Sequence, residues 1–257
     1  MSESRGEQYK RIRLLGKGAF AEVYLVEDRS GRVYACKVCG QALMLEREAG
    51  IQRGTGHPLF PVCFDFWREE SRGFLLMEYV PGESLETALR REGSFCEAKA
   101  ARIGVRLAEG LKYLHEREEP LIFRDVKPSN VILTPEGGVK LLDFGCACPP
   151  GRHTDRAGTP GFGAPEQFEP GGLQTAAADI YGLGRTLQAM TGRKGGGLLK
   201  KIADKCTAPC PEDRLPNMGE AAELLRLCTG EAGGRISARQ RAVLKGQLRV
   251  VKDICLC

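Results

Sequence analysis

The chain has no uninterrupted apolar run near the roughly 20 residues that a membrane-crossing helix needs. Nor does a basic-then-apolar leader follow Met1-Ser2-Glu3-Ser4-Arg5. These absences predict no membrane span and a cytoplasmic location. Charge of one sign is also scarce. The formal balance is only +5, and Lys and Arg are scattered, with a mild excess from Arg239 through Lys252. That stretch is expected to be a solvated helix rather than a surface for an acidic partner or lipid, and no nucleic-acid partner is expected. Among eleven cysteines, neither Cys146-Ala147-Cys148 nor Cys206 with Cys210 has paired CxxC spacing, which argues against bound zinc. Reduced thiols are expected in a long chain without a leader, and Cys255 and Cys257 are read as part of a frayed tail.

At 257 residues and 42% hydrophobic content, the chain has enough apolar surface for a sizeable core and room for one domain. Tyr9 to Lys17, Ala21 to Asp28 and Gly31 to Val38 are β-rich and separated by turn-forming segments, as in an antiparallel meander. Gln41 to Arg53 is helical in composition, and Pro61 to Arg68 and Phe74 to Val80 return to strand. Pro81-Gly82 then breaks the pattern. Beyond it the chain is helical, most clearly from Glu97 to Arg117, where Ala101, Val105, Ala108, Leu111 and Leu114 fall along one face.

The chemistry sits in Phe123-Arg124-Asp125-Val126-Lys127-Pro128-Ser129-Asn130 and in Asp143-Phe144-Gly145. Moving a γ-phosphoryl group is mostly positioning plus charge neutralisation. A carboxylate takes the hydroxyl proton, a Lys steadies the phosphate, and an amide oxygen and a second carboxylate hold Mg²⁺. Asp125, Lys127, Asn130 and Asp143 suit those four tasks. Either motif alone is a weak signal; two in register are strong.

With Leu15-Gly16-Lys17-Gly18-Ala19-Phe20-Ala21-Glu22-Val23, Tyr34-Ala35-Cys36-Lys37, Ala164-Pro165-Glu166, Asp179 and Arg214, these motifs resemble the protein kinase family over nearly the whole chain. The resemblance implies an α+β, two-lobed fold: a small antiparallel β-sheet lobe with one helix, about 9–80, and a larger, mainly helical lobe, about 82–230. A helical or frayed tail, 231–257, would complete a single domain. It implies ATP and Mg²⁺ as cofactors. Lys37 and Glu48 would form the ion pair that aligns the phosphates. Glu46, two residues out of register, is the alternative partner. Gly16 and Gly18 would lie over the phosphates, and Leu15, Val23, Ala35 and Ile132 would enclose the adenine. Met77 would guard the back of that pocket, the backbone of Glu78 and Val80 would read the base, and Glu83 or Ser84 would reach the ribose. Asn130 and Asp143 would hold the metal.

The same resemblance pairs Glu166 with Arg214 in a buried bridge and lets Asp179 accept catalytic-loop amides while capping its helix. Thr159 would hold Asp125 and Lys127 in register. Thr154 would be a phosphorylation switch read by Arg124, with help from Arg152 or Arg156. Three departures stand out. Phe123 replaces the usual His, Ala21 replaces a third glycine, and Gln52 replaces an apolar residue that packs against Phe144, which would make the active alignment less self-supporting. Thr191-Gly192-Arg193-Lys194-Gly195-Gly196-Gly197 runs straight into Leu198, leaving little room for the helix that usually projects there, a compactness similar to bacterial relatives.

In the family this chain resembles, a Lys at the place of Lys127 with a Thr at that of Thr159 goes with Ser/Thr acceptors. The expectation is therefore a serine/threonine protein kinase acting on protein hydroxyls, its oligomeric state unknown. A catalytically inactive scaffold and a small-molecule phosphotransferase are the alternatives.

Overall fold

The computed structural model describes residues 5–151, 157–192, 197–230 and 237–244. The elements in order are β1 (Tyr9–Lys17), β2 (Ala21–Asp28), β3 (Val33–Cys39), α1 (Ala42–Arg53), β4 (Cys63–Glu69), β5 (Arg72–Glu78), β6 (Glu83–Ser84), α2 (Leu85–Glu92), α3 (Glu97–His115), β7 (Val131–Leu133), β8 (Val139–Leu141), α4 (Ala177–Thr191), α5 (Gly197–Cys206), α6 (Met218–Arg226) and α7 (Ala238–Leu244). They fall into two compact units, one running to Glu83 and taking in Ile132–Ala147, the other formed by Ser84–Val131 and the chain from Cys148 on. The sequence reading had put 132–147 with the helical half.

In the first unit, five antiparallel strands run in the order β1-β2-β3-β5-β4. The β2–β3 hairpin is closed by Asp28, whose carboxylate accepts from the Ser30 hydroxyl and the Ser30 and Arg32 amides, the Asx geometry that makes short turns. Those bonds, the Ser30 hydroxyl first, draw the Asp28 carboxyl down to about 2. Both sheet faces are apolar. One carries Val26, Cys36, Trp67, Phe74 and Leu76; the other meets α1 through Cys39, Leu75, Leu45 and Ala49. Helix α1 buries Leu45, Glu48, Ala49 and Gln52, a three-and-four spacing that turns one stripe inward. Two polar residues stand in that stripe. The β7–β8 hairpin joins this unit, and Gly82, at φ 133, passes so close to it that an added Cβ would lie 2.2 Å from the Leu133 carbonyl oxygen.

The second unit is built on α3, which buries Ala100, Ala101, Ile103, Leu107, Ala108, Leu111 and Leu114. Ser84 caps α2 by accepting from the Thr87 amide, and Asn217 caps α6 by accepting from Glu220. Within α4, Gly184 lets α5 approach: an added Cβ would meet the Cys206 Cβ at 2.6 Å. Helix α4 starts at Ala177, so Asp179 lies inside its first turn rather than at the cap expected of it, and the helix has no side-chain capping bond. The Asp179 carboxylate is spent elsewhere. Helix α4 ends at Thr191 and α5 begins at Gly197.

Candidate active site

The first unit gathers one charged cluster. Lys37 projects from β3, where Val23 is its cross-strand partner on β2 and Ala35, two residues away, pairs with Met77 on β5. Residues two apart on a strand share a face, so Val23, Ala35, Lys37 and Met77 line the same side of the sheet. Leu15 falls at a β-bulge between Leu14 and Gly16, an irregularity that re-aims a side chain.

The Lys37 ammonium donates to both Glu48 oxygens, at 2.7 and 2.8 Å, and to Asp143 Oδ1 at 2.8 Å. Glu46 faces away and pairs with Arg68. Of the two candidate partners, the structure brings Glu48 to Lys37. Burial works against the Lys37 ammonium, but Glu48 and Asp143 outweigh it and the net shift is upward. Burial pushes the Glu48 carboxyl up to about 7, opposed by Lys37 and reinforced by Asp143. Lys37 is therefore charged across neutral pH, and Glu48 takes a proton more readily than an ordinary carboxyl.

Asp143 adopts a left-handed backbone, φ 77, rare outside glycine and typical of strained functional positions. Its Oδ1 also accepts from the Gly145 amide at 3.1 Å. The Phe144 ring packs on Phe60, centroids 5.1 Å apart. Gln52 donates to the Pro61 carbonyl at 2.9 Å and approaches Met77 Sδ at 3.8 Å.

At the end of β5, the Glu78 amide donates to the Val62 carbonyl, and its carboxylate binds Lys140 at 2.8 Å. The Val80 amide has no partner among the described residues. Ile132 lies against Gly82.

The second unit gathers the other cluster. Asp125 Oδ1 accepts from the Thr159 hydroxyl at 2.7 Å, and Oδ2 from Lys127 at 2.7 Å and the Asn130 amide at 3.1 Å. Lys127 also donates to the Thr159 oxygen at 2.6 Å, closing a ring of three side chains. Asn130 spends its amide nitrogen on Asp125, on the backbone carbonyl as well as the carboxylate. Its amide oxygen accepts no hydrogen bond among the described residues.

Deeper in, the Asp179 carboxylate accepts from the Phe123 and Arg124 amides at 2.8 and 2.6 Å and meets His115 at 2.7 Å. Arg124, φ 69, is thus held in a strained conformation from one side. From the other side Gln167 donates to its carbonyl at 2.9 Å and to Ala157, while accepting from Ala164. Sequence reading passed over Gln167; a lone glutamine carries no pattern. Arg214 binds Glu166 through two nitrogens, at 2.6 and 2.8 Å, and spends its remaining donors on three backbone carbonyls. Thr154, Arg152 and Arg156 lie outside the described residues, as do Cys255 and Cys257.

The sequence reading also overlooked that Cys36-Lys37-Val38-Cys39 has CxxC spacing. Three residues apart on β3, the two thiols enter opposite apolar clusters, and both are free. Burial pushes the Cys36 thiol up to about 12. Among the described residues no group of three or more His, Cys, Asp and Glu side chains is placed to hold a metal ion.

Residues 9–195 match the family model described as the protein kinase domain. The chain is 33% identical over 189 residues to Aurora kinase A-A of Xenopus laevis, covering 69% of this chain and 46% of that protein. It is 31% identical to the cAMP-dependent protein kinase catalytic subunit of Dictyostelium discoideum, over 71% of this chain and 29% of the relative. With probable serine/threonine-protein kinase PBL12 of Arabidopsis thaliana it shares 35% identity, over 72% and 49% respectively. Less than half the length of each of these relatives is spanned. The match to the family model, together with the two charged clusters and the five-stranded sheet, places this chain in the protein kinase family.

Proposed function

We propose that the chain is a single protein kinase domain that transfers the γ-phosphoryl group of ATP, with Mg²⁺, to serine or threonine hydroxyls of protein substrates. The observation that carries this reading is the ring formed by Asp125, Lys127 and Thr159. It holds a carboxylate in one orientation beside an ammonium, the pairing wanted by a group that takes a hydroxyl proton while negative charge moves away. Lys127 and Thr159 are also the residues that favour Ser/Thr acceptors over tyrosine.

The donor sets suit the cofactors. Mg²⁺ is held in such sites by one or two carboxylate or amide oxygens, with phosphates and water completing six, so a protein cage is not needed. Asp143 offers a half-exposed carboxylate and Asn130 an amide oxygen. Lys37, fixed by Glu48, would engage the α and β phosphates, Gly16 and Gly18 would lie over them, and Leu15, Val23, Ala35 and Ile132 would enclose the base. The partnerless Val80 amide and the Glu78 carbonyl would read its edge. Bound Mg²⁺ would neutralise phosphate charge, while Asp125 accepts the acceptor's proton.

No described helix is long and apolar enough to cross a membrane. Incubating the purified protein with Mg-ATP and reading intact mass tests the proposal. A gain of phosphate on Ser or Thr of the chain or of added protein supports it. ATP binding without transfer to any acceptor would make the chain a scaffold, and transfer only to small hydroxyl compounds would make it a small-molecule phosphotransferase.

A further inference from the structure

Gln167 is 1% exposed, in the second unit, next in the chain to the Glu166 that Arg214 binds. A primary amide has two N–H donors and an acceptor oxygen, and this one commits all of them to backbone. Its Nε2 donates to the Arg124 carbonyl at 2.9 Å and to the Ala157 carbonyl at 2.8 Å, and Oε1 accepts from the Ala164 amide at 2.9 Å. The two carbonyls lie just upstream of a pair of reacting-side groups. Arg124 precedes Asp125, and Ala157 stands two residues before Thr159, whose hydroxyl donates to Asp125 Oδ1 at 2.7 Å. One nitrogen therefore ties together the two backbone segments that carry this hydrogen bond. There is no slack in the crossing. An added Cβ at Gly158, φ 125, would lie 2.8 Å from Gln167 Nε2 and 3.4 Å from the Arg124 oxygen.

We propose that Gln167 is a positioning residue for phosphoryl transfer: by holding the Arg124 and Ala157 carbonyls on one amide nitrogen, it keeps the Thr159 hydroxyl on the Asp125 carboxylate. The inference rests on the protein kinase reading. Arg124 needs the tie, because φ 69 is unfavourable for a residue with a side chain and persists only where its surroundings over-determine it. Asp179 fixes the Arg124 amide at 2.6 Å, and Gln167 fixes its carbonyl. Lys127 bonds both Asp125 and Thr159, but an ammonium on a flexible four-carbon stem sets the backbone of neither.

The test is steady-state phosphorylation, with Mg-ATP, of the best acceptor that the intact chain selects from a Ser/Thr peptide library. Gln167→Met, Thr159→Ala and the double variant are run beside the parent, with thermal melts of all four. Gln167→Met keeps the side-chain length and loses all three hydrogen bonds. Its turnover is expected to fall at least tenfold while KM for ATP moves less than twofold. The double variant should stay within threefold of the worse single one, because without the Thr159 hydroxyl there is no bond left for Gln167 to hold. Gln167→Asn, one methylene short of the two carbonyls, carries the same expectation and serves if Gln167→Met does not fold. A lowered melting temperature with turnover unchanged, a shift in KM in place of the turnover loss, or losses that multiply in the double variant would each overturn the inference and leave the kinase reading intact. Absence of transfer by the parent to every peptide and to itself overturns both.

Discussion

Gln52 donates its side-chain amide to the Pro61 carbonyl at 2.9 Å, from the buried face of α1 and one turn beyond Glu48. Its second contact is the Met77 thioether at 3.8 Å. From sequence, a polar residue here reads as a weakened alignment. In the structure Gln52 is a hydrogen-bonded strap between α1 and the segment leading into β4. Gln52→Ala removes the strap and leaves the buried Pro61 carbonyl without this donor, a loss of about 1–3 kcal/mol before any cavity cost. Gln52→Leu, which returns apolar bulk, should lose less. Denaturant unfolding of the two variants checks the order, and equal losses would mean that the amide contributes nothing beyond volume.

The Lys37, Glu48 and Asp143 cluster gives a pH signature with opposite signs for stability and activity. Because the folded Glu48 carboxyl sits at about 7, above its value in the unfolded chain, the folded state holds an extra proton between about pH 4.5 and 7. Glu48's contribution to stability therefore falls as pH rises through that window. Turnover should rise over the same window, since only ionised Glu48 pairs with Lys37 by charge. In Glu48→Gln both slopes should vanish, read by thermal melts and by a pH–rate profile. An unchanged acid limb would assign it to another group.

Lys37 and Glu48 act as one pair, so their losses should not add. Each single substitution, Lys37→Met or Glu48→Gln, is expected to reduce turnover severely while affecting nucleotide affinity less. A double-mutant cycle that is fully additive would show that the two side chains do not interact in the working enzyme.

Asp125→Asn and Asp143→Asn should each stop transfer for different reasons. Asp125 is tied to acceptor-side groups, so Asp125→Asn should bind Mg-ATP nearly as well as the parent with less than a hundredth of its turnover. Asp143→Asn should lose the Mg²⁺ dependence of nucleotide binding. Titrations with and without Mg²⁺ separate them, and retained turnover in Asp125→Asn would remove Asp125 from its assigned role.

Thr159 works through its hydroxyl, which bonds Asp125 and Lys127 at once. Thr159→Ser should keep most activity. Thr159→Ala should fall by at least tenfold in turnover with little change in folding, because Lys127 still holds Asp125. Loss in both variants alike would point to the methyl group instead.

The sequence by itself determined the residue types that chemistry requires and the order of the elements carrying them. Asp125, Asn130 and Asp143 are legible because few other residues can do their work, and the strand and helix periods around Lys37 and Glu97 to His115 follow from local pattern. Tertiary structure decided the partners. Glu46 and Glu48 both lie on α1, and only packing against the sheet turns Glu48 to Lys37 while Glu46 meets Arg68. Cys36 and Cys39 have CxxC spacing, which the sequence reading passed over, and are parted by the alternation of β3. Asp179 suits a helix cap by type, yet its carboxylate serves backbone amides far away in the chain. Gln52 and Gln167 carry no local signal, because an amide's role depends on which carbonyls the fold brings to it, and that is set by burial and contact distance, not by neighbours in sequence.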